Sequence, residues 1–490
     1  MSSGEHILVA GSGIAGLGAA LAFGGGARRV TIVDRDHAGP AGDAEDAFVH
    51  WERRGATQLR HSHVFLGRLT TLIRDRHPEL LKELLESGAR LFTFEDGLPP
   101  SLKPDYVAHV GDEELSILFS RRTTLELAMR RYASRLPNVT FLDDAGVRGV
   151  IANRDTSGAV AVEGLKVERN GAVEDIRADV TVDASGRNTL FPDWLSAEGV
   201  QVAEDESPAG ILYFTRHYKL RDGAEEPVRD GTPGAGDLGY IKFGVFPADN
   251  RHFSVTLAVP EIETALRMAI VKPEIFDAIC SEIPGCARWI DPARAEPASQ
   301  VFAMGNLKSV WRQYSPHVLN FFAIGDAAVR TNPLYGRGCS AGVVHAHLLR
   351  DVMDATPDPL ARAQRFETET RRTLRPFYDS MVRQDKQAIR RAEHERDPSY
   401  VPSFRAKMMK SFIEDAIGPA TRGDIEILRA LSRAFHMIDD PNAWLKKPST
   451  IAGVMRYWAM PKNFKRARGF YPPKFGPERA QMFAKLNLAA

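Results

Sequence analysis

The stretch GDAAVRTNPLYGRG occupies residues 325–338 and follows the apolar run VLNFFAI at residues 318–324. The apolar run predicts a buried strand, and the stretch after it predicts a turn that leads into a helix beginning near Cys339. The first N–H groups of such a helix are unpaired and carry a partial positive charge. Small residues there let a flat or anionic ligand approach the backbone, and Asp326 can accept hydrogen bonds from ligand hydroxyls. A plain strand-to-helix connection would show the same pattern.

The N-terminus contains the same kind of junction in a more specific form. An apolar strand runs directly into GSGIAG (residues 11–16), and the next apolar strand ends at Asp34. In this context Gly11 allows a tight turn, Gly13 lets the backbone approach a pyrophosphate, and Gly16 lets the helix pack on the sheet. Asp34 is placed to bind the ribose hydroxyls of an adenosine. The combination predicts a dinucleotide site rather than a structural glycine turn.

A third junction lies near the middle of the chain. The stretch DASGR (residues 183–187) follows another apolar strand and supplies Asp183 and Gly186 as candidate binding residues. Three strand-to-glycine junctions in one chain are hard to explain by packing alone. We therefore expect all three to lie at one side of a single sheet.

Two basic segments supply further candidates. Arg60 lies in QLRHSH (residues 58–63), and Arg122 lies in RRTTLE (residues 121–126), where a strand is predicted to meet a helix. Contact with a phosphate or a ribose explains Arg122 about as well as a solvated surface does. The two histidines of the first segment lack a third ligand at metal-site spacing, so no metal is predicted.

Composition sets broad limits on function. The chain has 490 residues, a net charge of +1 and 43% hydrophobic residues, which is enough for two closely joined domains and gives no reason to expect nucleic acid as a partner. The three cysteines form no C-x-x-C pair, as is typical of a reducing compartment. Because no apolar run is long enough for a membrane span and the first strand begins almost at once, we expect a cytoplasmic protein.

From Gly210 onward the pattern changes to long alternating strands, which predicts a sheet that covers a pocket. Both faces of the first of these strands are mixed in polarity. The candidate pocket residues on these strands are Tyr213, Arg216, His217, Tyr240 and Lys242.

The predicted architecture is α/β, with three parts. A Rossmann-like dinucleotide-binding domain covers residues 1–205, and residues 318–355 return to it. An inserted mixed or antiparallel β-sheet domain, which would bind the substrate, covers residues 206–317. Residues 356–490 form a helical C-terminal region with a basic, aromatic tail.

The three motifs occur in the order found in FAD-dependent aromatic hydroxylases, and the chain resembles the p-hydroxybenzoate hydroxylase fold superfamily. That superfamily also contains squalene-type epoxidases, flavin-dependent halogenases and geranylgeranyl reductases. The resemblance covers roughly the first 355 residues and implies a Rossmann-like FAD-binding domain. Two departures are the Asp-Ala-Ser-Gly form of the middle motif and the absence of the Trp-x-Trp-x-Ile-Pro motif of tryptophan halogenases.

The resemblance also implies roles for individual residues. The ADP part of FAD would be bound by Gly11, Gly13, Gly16 and Asp34, and the ribityl or pyrophosphate region by Asp326. The residues that would lie beside the isoalloxazine are Pro333, Gly336 and Gly338. The other positions implied near the cofactor are Arg60, Arg122, Asp183 and Gly186.

The implied activity is that of an FAD-dependent monooxygenase. It would insert one oxygen atom from O₂ into an aromatic or lipophilic small molecule, by hydroxylation or epoxidation, through a flavin C4a-hydroperoxide. NAD(P)H would reduce the flavin, either by transient binding or through a partner flavin reductase. The alternatives are a C=C reductase of the geranylgeranyl reductase type and a halogenase. Halogenation is disfavoured because the sequence shows no convincing catalytic lysine. Lys82, which is considered for that role, lies in a leucine-rich helical segment.

The C-terminal tail is the part least like the family. Residues 444–485 contain ten Lys or Arg, with aromatic residues between them, against one acidic residue, Glu478. Such a segment could pack across the protein or against a homodimer partner. It could also make peripheral contact with an anionic membrane.

Overall fold

The computed structural model describes residues 4–154, 158–315, 317–397 and 399–488. These residues form strands and helices in alternation through the first third of the chain, and mainly helices after residue 338. The strands are β1 (His6–Ala10), β2 (Arg29–Val33), β3 (Arg90–Phe92), β4 (Ile117–Phe119), β5 (Val139–Leu142), β6 (Ala145–Arg154), β7 (Val160–Arg169), β8 (Ala172–Arg177), β9 (Val180–Asp183), β10 (Gln201–Pro208), β11 (Ile211–Leu220), β12 (Ala235–Asp237), β13 (Lys242–Pro247), β14 (His252–Pro260), β15 (Ala295–Pro297), β16 (Phe302–Met304), β17 (Lys308–Ser315), β18 (Phe321–Ala323) and β19 (Val329–Arg330).

The α-helices of the described chain lie on both sides of these strands and form the C-terminal region. They are α1 (Ile14–Phe23), α2 (Ala44–His50), α3 (Gly67–Arg76), α4 (Pro78–Glu86), α5 (Arg122–Ser134), α6 (Phe191–Ala197), α7 (Thr264–Ala269), α8 (Pro273–Ser281), α9 (Pro284–Ile290), α10 (Gly338–Ala355), α11 (Pro359–Arg396), α12 (Phe404–Ser411), α13 (Gly418–Gly423), α14 (Ile425–Phe435), α15 (Pro448–Ala459), α16 (Lys462–Ala467) and α17 (Arg479–Lys485). Among the described residues, every helix is too short or too polar to span a bilayer.

A five-stranded parallel sheet with the order β18-β9-β1-β2-β5 forms the centre of the first domain. Its strands are almost entirely buried, as expected for a parallel sheet covered by helices on both faces. Helices α1 and α10 pack closely, because Gly18 presents no side chain to the backbone of Val343: an added Cβ would lie 3.1 Å from its Cα. The Rossmann-like α/β fold predicted from the sequence is confirmed.

The three strand-to-glycine junctions lie side by side. Because β18, β9 and β1 are parallel neighbours, their carboxyl ends meet at the same edge of the sheet. Gly11 has φ +102°, and an added Cβ would lie 2.6 Å from the carbonyl oxygen of Ala184, so the first junction packs directly against the second.

The inserted sheet has the order β12-β13-β14-β11-β15, with β16 also paired to β11, and all its pairings are antiparallel. Phe214 and Tyr218 of β11 belong to the core that this sheet forms with α7, α8 and α9. On the opposite face, His217 contacts the carbonyl oxygen of Arg60 at 2.8 Å. The polar residues on that face are therefore buried against the first domain, which explains the mixed polarity of the strand.

Two features differ from the expectation. The strand expected over residues 318–324 is shorter, since regular pairing with β9 covers only β18. A separate antiparallel sheet with the order β10-β17-β19 joins the segments that leave and re-enter the first domain. The domain boundaries at residues 205/206 and 317/318 stay a prediction. The first falls inside β10 and the second lies just after β17, so both are at this connecting sheet.

The C-terminal tail packs on the rest of the chain in two places. Trp444, Val454 and Tyr457 join a core with α13 and α14. Met482 and Phe483 of α17 are buried in the core of the inserted sheet. The tail therefore completes the hydrophobic core of the substrate-side sheet.

Many of the basic residues in the tail are used internally. Lys465 is buried and donates hydrogen bonds to the carbonyl oxygens of Asp415 and Tyr457. Arg479 pairs with Glu263 at 2.9 Å. The tail cations that form no ion pair within the described chain, apart from buried Lys465, are Lys446, Lys447, Arg466 and Arg468. Membrane contact and homodimer formation stay predictions.

Replacing Phe483 with alanine should lower the free energy of unfolding by about 3–5 kcal/mol, because the ring is fully buried in the core of the inserted sheet. Chemical denaturation followed by far-UV circular dichroism measures this effect. Phe464→Ala is the matched control, since that ring is 46% exposed and its loss should change stability little. Equal effects of the two substitutions would contradict the packing described for α17.

Candidate functional site

One cavity of ≈ 700 Å³ lies between the carboxyl edge of the parallel sheet and the polar face of the inserted sheet. Its wall includes Gly13 and Asp34 at one end, Asp326 in the middle, and Tyr213 and Lys242 at the other end. A cavity of this size is in the range of small-molecule and cofactor sites. All three sequence motifs therefore border the same space.

At the end near β1 and β2, Asp34 is held by two neighbours. Its carboxylate accepts a hydrogen bond from the backbone N–H of Ser12 and lies 3.2 Å from the guanidinium of Arg53. Arg53 is itself buried and also pairs with Asp36 and Glu126. This arrangement fixes the carboxylate at the turn where ribose hydroxyls bind in dinucleotide folds.

Sequence reasoning missed Arg53. The residue lies in the segment between residues 36 and 55, which has no clear periodicity, and its partners are far away in sequence. The sequence offered no clear signal for Arg53, because the burial of Glu126 is visible only in the structure and Arg122, four residues earlier, is a nearer partner for that carboxylate.

The middle of the cavity contains Arg122 and Asp326. The guanidinium of Arg122 pairs with Glu126 at 2.6 Å and contacts the ring of His63 at 3.3 Å. Burial raises the pKa of the Asp326 carboxyl, while the positive charge of Arg122 opposes that rise. Burial also lowers the pKa of His63, and the neutral imidazole donates from Nδ1 to the carbonyl oxygen of His61 and accepts from Arg122 at Nε2.

The start of α10 forms the next part of the wall. Gly336 has φ +63° and closes the short turn Pro333–Tyr335, after which α10 begins at Gly338. An added Cβ at Gly338 would reach only Thr331 and Asp326, at 3.8 and 3.9 Å. A ligand can therefore approach the unpaired N–H groups of the first turn, which favour negative charge.

The inserted sheet forms the far wall. Of the five pocket residues predicted there, Tyr213 and Lys242 line the cavity. The other lining side chains from this sheet include Thr215, Phe243, Phe246, Thr256, Ala258 and Met304. This end of the cavity combines aromatic and aliphatic side chains with the hydroxyls of Tyr213, Thr215 and Thr256 and the ammonium group of Lys242.

Comparison with known proteins finds chains with a similar fold. No family model matches the chain. The chain is 26% identical over 381 residues to Protein Rv3254 of Mycobacterium tuberculosis, covering 72% of this chain and 73% of that protein. The halogenase CmlS, a flavin-dependent enzyme, has a similar structure with a TM-score of 0.59 and 15% identity, covering 93% of this chain and 78% of that chain. PqsL of Pseudomonas aeruginosa, a probable FAD-dependent monooxygenase, is similar with a TM-score of 0.54 and 15% identity, covering 79% of this chain and 97% of that chain.

The fold is that of flavin-dependent monooxygenases and halogenases. The residues at the cavity fit the FAD that this flavoprotein fold implies. Gly13 faces empty space, because an added Cβ would meet no atom within 4 Å, and it stands where a pyrophosphate would approach the backbone. Arg122 supplies a positive charge, and α10 supplies free N–H groups farther along the same wall.

The structure brings most of the predicted cofactor residues together. The predicted residues that line the cavity are Gly11, Gly13, Asp34, Arg122, Gly186, Asp326, Pro333, Gly336 and Gly338. Gly16 and Asp183 lie just behind the wall. Gly16 permits the turn, since an added Cβ would lie 1.8 Å from the carbonyl oxygen of Gly11. Asp183 is buried and accepts hydrogen bonds from the hydroxyls of Ser185 and Thr189, which shapes the second junction.

Four predicted residues lie outside the cavity. Arg60 donates to the carbonyl oxygens of Phe48, Val49 and Trp51, so it braces a loop. The ring of His217 is buried behind that loop.

The other two face away from the first domain or toward the tail. Arg216 points to the opposite side of the inserted sheet and pairs with Asp277 at 2.5 Å. Tyr240 donates to the carbonyl oxygen of Pro477 in the C-terminal tail, 3.1 Å away. Successive residues of a strand point to opposite faces, so Arg216 lies on the other face of β11 from Tyr213 and Thr215. The partner of Tyr240 belongs to the C-terminal tail, whose position the local sequence did not predict.

Gly13→Ala should weaken FAD binding by roughly tenfold or more, because the new methyl group occupies ligand space. It should leave the melting temperature of the flavin-free protein nearly unchanged, since Gly13 has φ −72° and no neighbouring atoms. FAD titration by fluorescence quenching and thermal unfolding measure the two effects.

Gly16→Ala is the matched comparison, and it should destabilise the flavin-free protein because its Cβ would overlap the backbone of Gly11. Full FAD affinity in Gly13→Ala would contradict the position assigned to the cofactor.

Proposed function

We propose that this chain is an FAD-dependent monooxygenase that inserts one oxygen atom from O₂ into an aromatic or lipophilic small molecule. The observation that supports this most strongly is that a single cavity joins the dinucleotide loop, the start of α10 and the face of the inserted sheet that meets the first domain. A cofactor bound along the dinucleotide loop and the start of α10 would present its reactive ring to a substrate held by the inserted sheet.

The residues of the chain would bind the cofactor, orient it and shield it from water. Gly11 and Gly13 would allow close approach of the pyrophosphate of FAD, and Asp34 would hold a ribose. Asp326 would supply a hydrogen-bond acceptor and Arg122 a positive charge at the middle of the cavity. The start of α10 would stabilise negative charge on the bound group. FAD supplies the redox chemistry when bound.

The substrate end supports a largely apolar ligand. Phe243, Phe246 and Met304 form its wall, and such a lining excludes water from the reaction. The described chain shows no second Gly-x-Gly-x-x-Gly loop, so NAD(P)H would bind transiently or act through a partner flavin reductase.

Halogenation is the second candidate, and one observation favours it. Lys242 lines the cavity, so the substrate end contains a lysine. The sequence predicted Lys242 as a pocket residue but not as a catalytic residue for halogenation. Against it, the ammonium group of Lys242 already pairs with Asp237. The exposed Lys82 lies on α4, away from the cavity wall.

Asp326→Ala should yield folded protein with FAD affinity reduced by roughly 10–100-fold, because a charge-assisted hydrogen bond contributes about 1.5–3 kcal/mol. The flavin content after purification and an FAD titration measure this. Asp351→Ala removes an exposed carboxylate on α10 and should leave flavin content unchanged. Normal yellow protein from Asp326→Ala would refute the role given to the third motif.

Stopped-flow absorbance after anaerobic reduction and mixing with O₂ tests the reaction class. A transient band at ~370–390 nm, typical of oxygenases and halogenases that use this cofactor, is expected. Halide-dependent product formation would then favour halogenation over oxygen insertion. Direct reoxidation without the band, with candidate substrates present, would favour a C=C reductase instead.

A further inference from the structure

A buried carboxylate from the C-terminal region reaches the wall of the cavity. Asp385 lies on the long helix α11 and is only 2% exposed. Its Oδ1 accepts hydrogen bonds from the hydroxyl of Tyr335 and from the side-chain N–H of Asn332, both at 2.9 Å. Tyr335 belongs to the turn at the start of α10 and lines the cavity. A single side chain therefore separates Asp385 from bound ligand.

The second oxygen of this carboxylate is unsatisfied. Oδ2 of Asp385 is buried and has no hydrogen-bond partner within the described chain. The carboxylate also forms no salt bridge there, and Lys242, whose charge acts on it, is paired with Asp237. A buried carboxylate normally has partners for both oxygens, so the free Oδ2 requires an explanation, and a proton-accepting role provides one.

The surroundings of Asp385 suit a proton acceptor. Burial raises the pKa of its carboxyl to about 6, although hydrogen bonds from Tyr335 and Asn332 and the charge of Lys242 act in the opposite direction. A group with a pKa near the working pH can both take up and release a proton, which is what a general base needs.

Tyr335 is placed to pass a proton. Its hydroxyl is bonded to Asp385, and the guanidinium of Arg337 lies over its ring at 5.4 Å from the ring centre. Arg337 is buried without a carboxylate partner in the described residues. Burial and the neighbouring Asp385 raise the pKa of the Tyr335 hydroxyl, and the positive charge of Arg337 only partly opposes that rise, so the hydroxyl stays protonated and donates to Asp385.

A second branch of the network reaches the same cavity. The hydroxyl of Tyr213 donates to the side-chain oxygen of Asn332, whose N–H donates to Asp385. Asn332 cannot carry a proton between them, so this branch orients Tyr213 without relaying charge. Tyr213 and Tyr335 thus present two hydroxyls to one ligand, and only Tyr335 is connected directly to the carboxylate.

We propose that Asp385 accepts a proton from the bound substrate through the hydroxyl of Tyr335. The ligand's O–H or N–H bond breaks as its proton bonds to the Tyr335 oxygen, while the Tyr335 O–H bond breaks and its proton bonds to Asp385. No electrons pass between the molecules in this step. The substrate would then have a weakly acidic hydroxyl or N–H group, a choice that rests on the monooxygenase function proposed above. Asp385 positions Tyr335 and accepts its proton, but it does not touch the ligand itself.

Infrared difference spectra of the FAD-loaded protein, recorded from below to above pH 6, test the carboxylate directly. The groups that face it and can titrate or carry charge are Tyr213, Tyr335 and Lys242. A protonated-carboxyl band should disappear with a midpoint of about 6 as the pH rises. The band should be absent in Asp385→Asn. Its midpoint should move upward in Tyr335→Phe, because the lost hydrogen bond stabilises the ionised form.

Binding of 4-nitrophenol, whose absorbance distinguishes the phenol from the phenolate, tests the transfer. The wild-type protein should bind this probe mainly as phenolate, and Asp385→Asn and Tyr335→Phe should each lower the bound phenolate-to-phenol ratio at least about tenfold. Asp379→Asn, a half-exposed carboxylate on the same helix paired with Arg375, should leave both readouts unchanged.

Three results would overturn the proposal. They are a carboxyl band that persists in Asp385→Asn, an identical ionisation of the probe in wild type and both variants, and a cavity that does not bind the probe. The test is separable from the proposed function, because neither assay requires O₂ or turnover. An FAD-loaded protein that passes both assays but reoxidises without the transient absorbance band would refute the monooxygenase function and leave the proton path in place.

Discussion

The parallel alignment of β18, β9 and β1 is the constraint on which the site depends. Because these neighbouring strands run in the same direction, three glycine-containing turns converge at one edge of the sheet. The contact of Gly11 with the Ala184 backbone and the close packing of α1 on α10 keep the turns together. A side chain at Gly11 or Gly18 would lie 2.6 Å from the carbonyl oxygen of Ala184 or 3.1 Å from the Cα of Val343 and would push these elements apart.

The two ends of the cavity are built by different kinds of interaction. At the cofactor end, charged side chains are buried in compensating sets, such as Arg53 with Asp34, Asp36 and Glu126. Such sets hold polar groups in fixed positions because an unpaired buried charge is costly. At the substrate end, the inserted sheet supplies aromatic and aliphatic surface, and the tail helix α17 completes the core on its far side. Distant parts of the chain therefore stabilise the wall that faces the ligand.

Much of the cofactor end was predictable, because its residues lie in turns whose geometry is set by neighbours in sequence. Gly13 and Asp34 need only a strand, a helix and a second strand to be placed correctly. The substrate end was less predictable. Arg216 and His217 are adjacent to lining residues but point away or lie behind a loop, and strand alternation alone could not reveal which face met the cavity. Arg53 and Asp385 came from segments that carried no motif.

The sequence by itself determined the parallel-sheet fold, the three junctions and their order, since each depends on local apolar runs, glycines and short-range spacing. Only the tertiary structure decided that α11 delivers Asp385 to the turn before α10 and that the tail packs under the inserted sheet. Those contacts join residues separated by fifty positions or more, for example Asn332 with Asp385, 53 residues apart. Long-range packing of this kind depends on the whole fold, because no local pattern specifies which buried surfaces will meet.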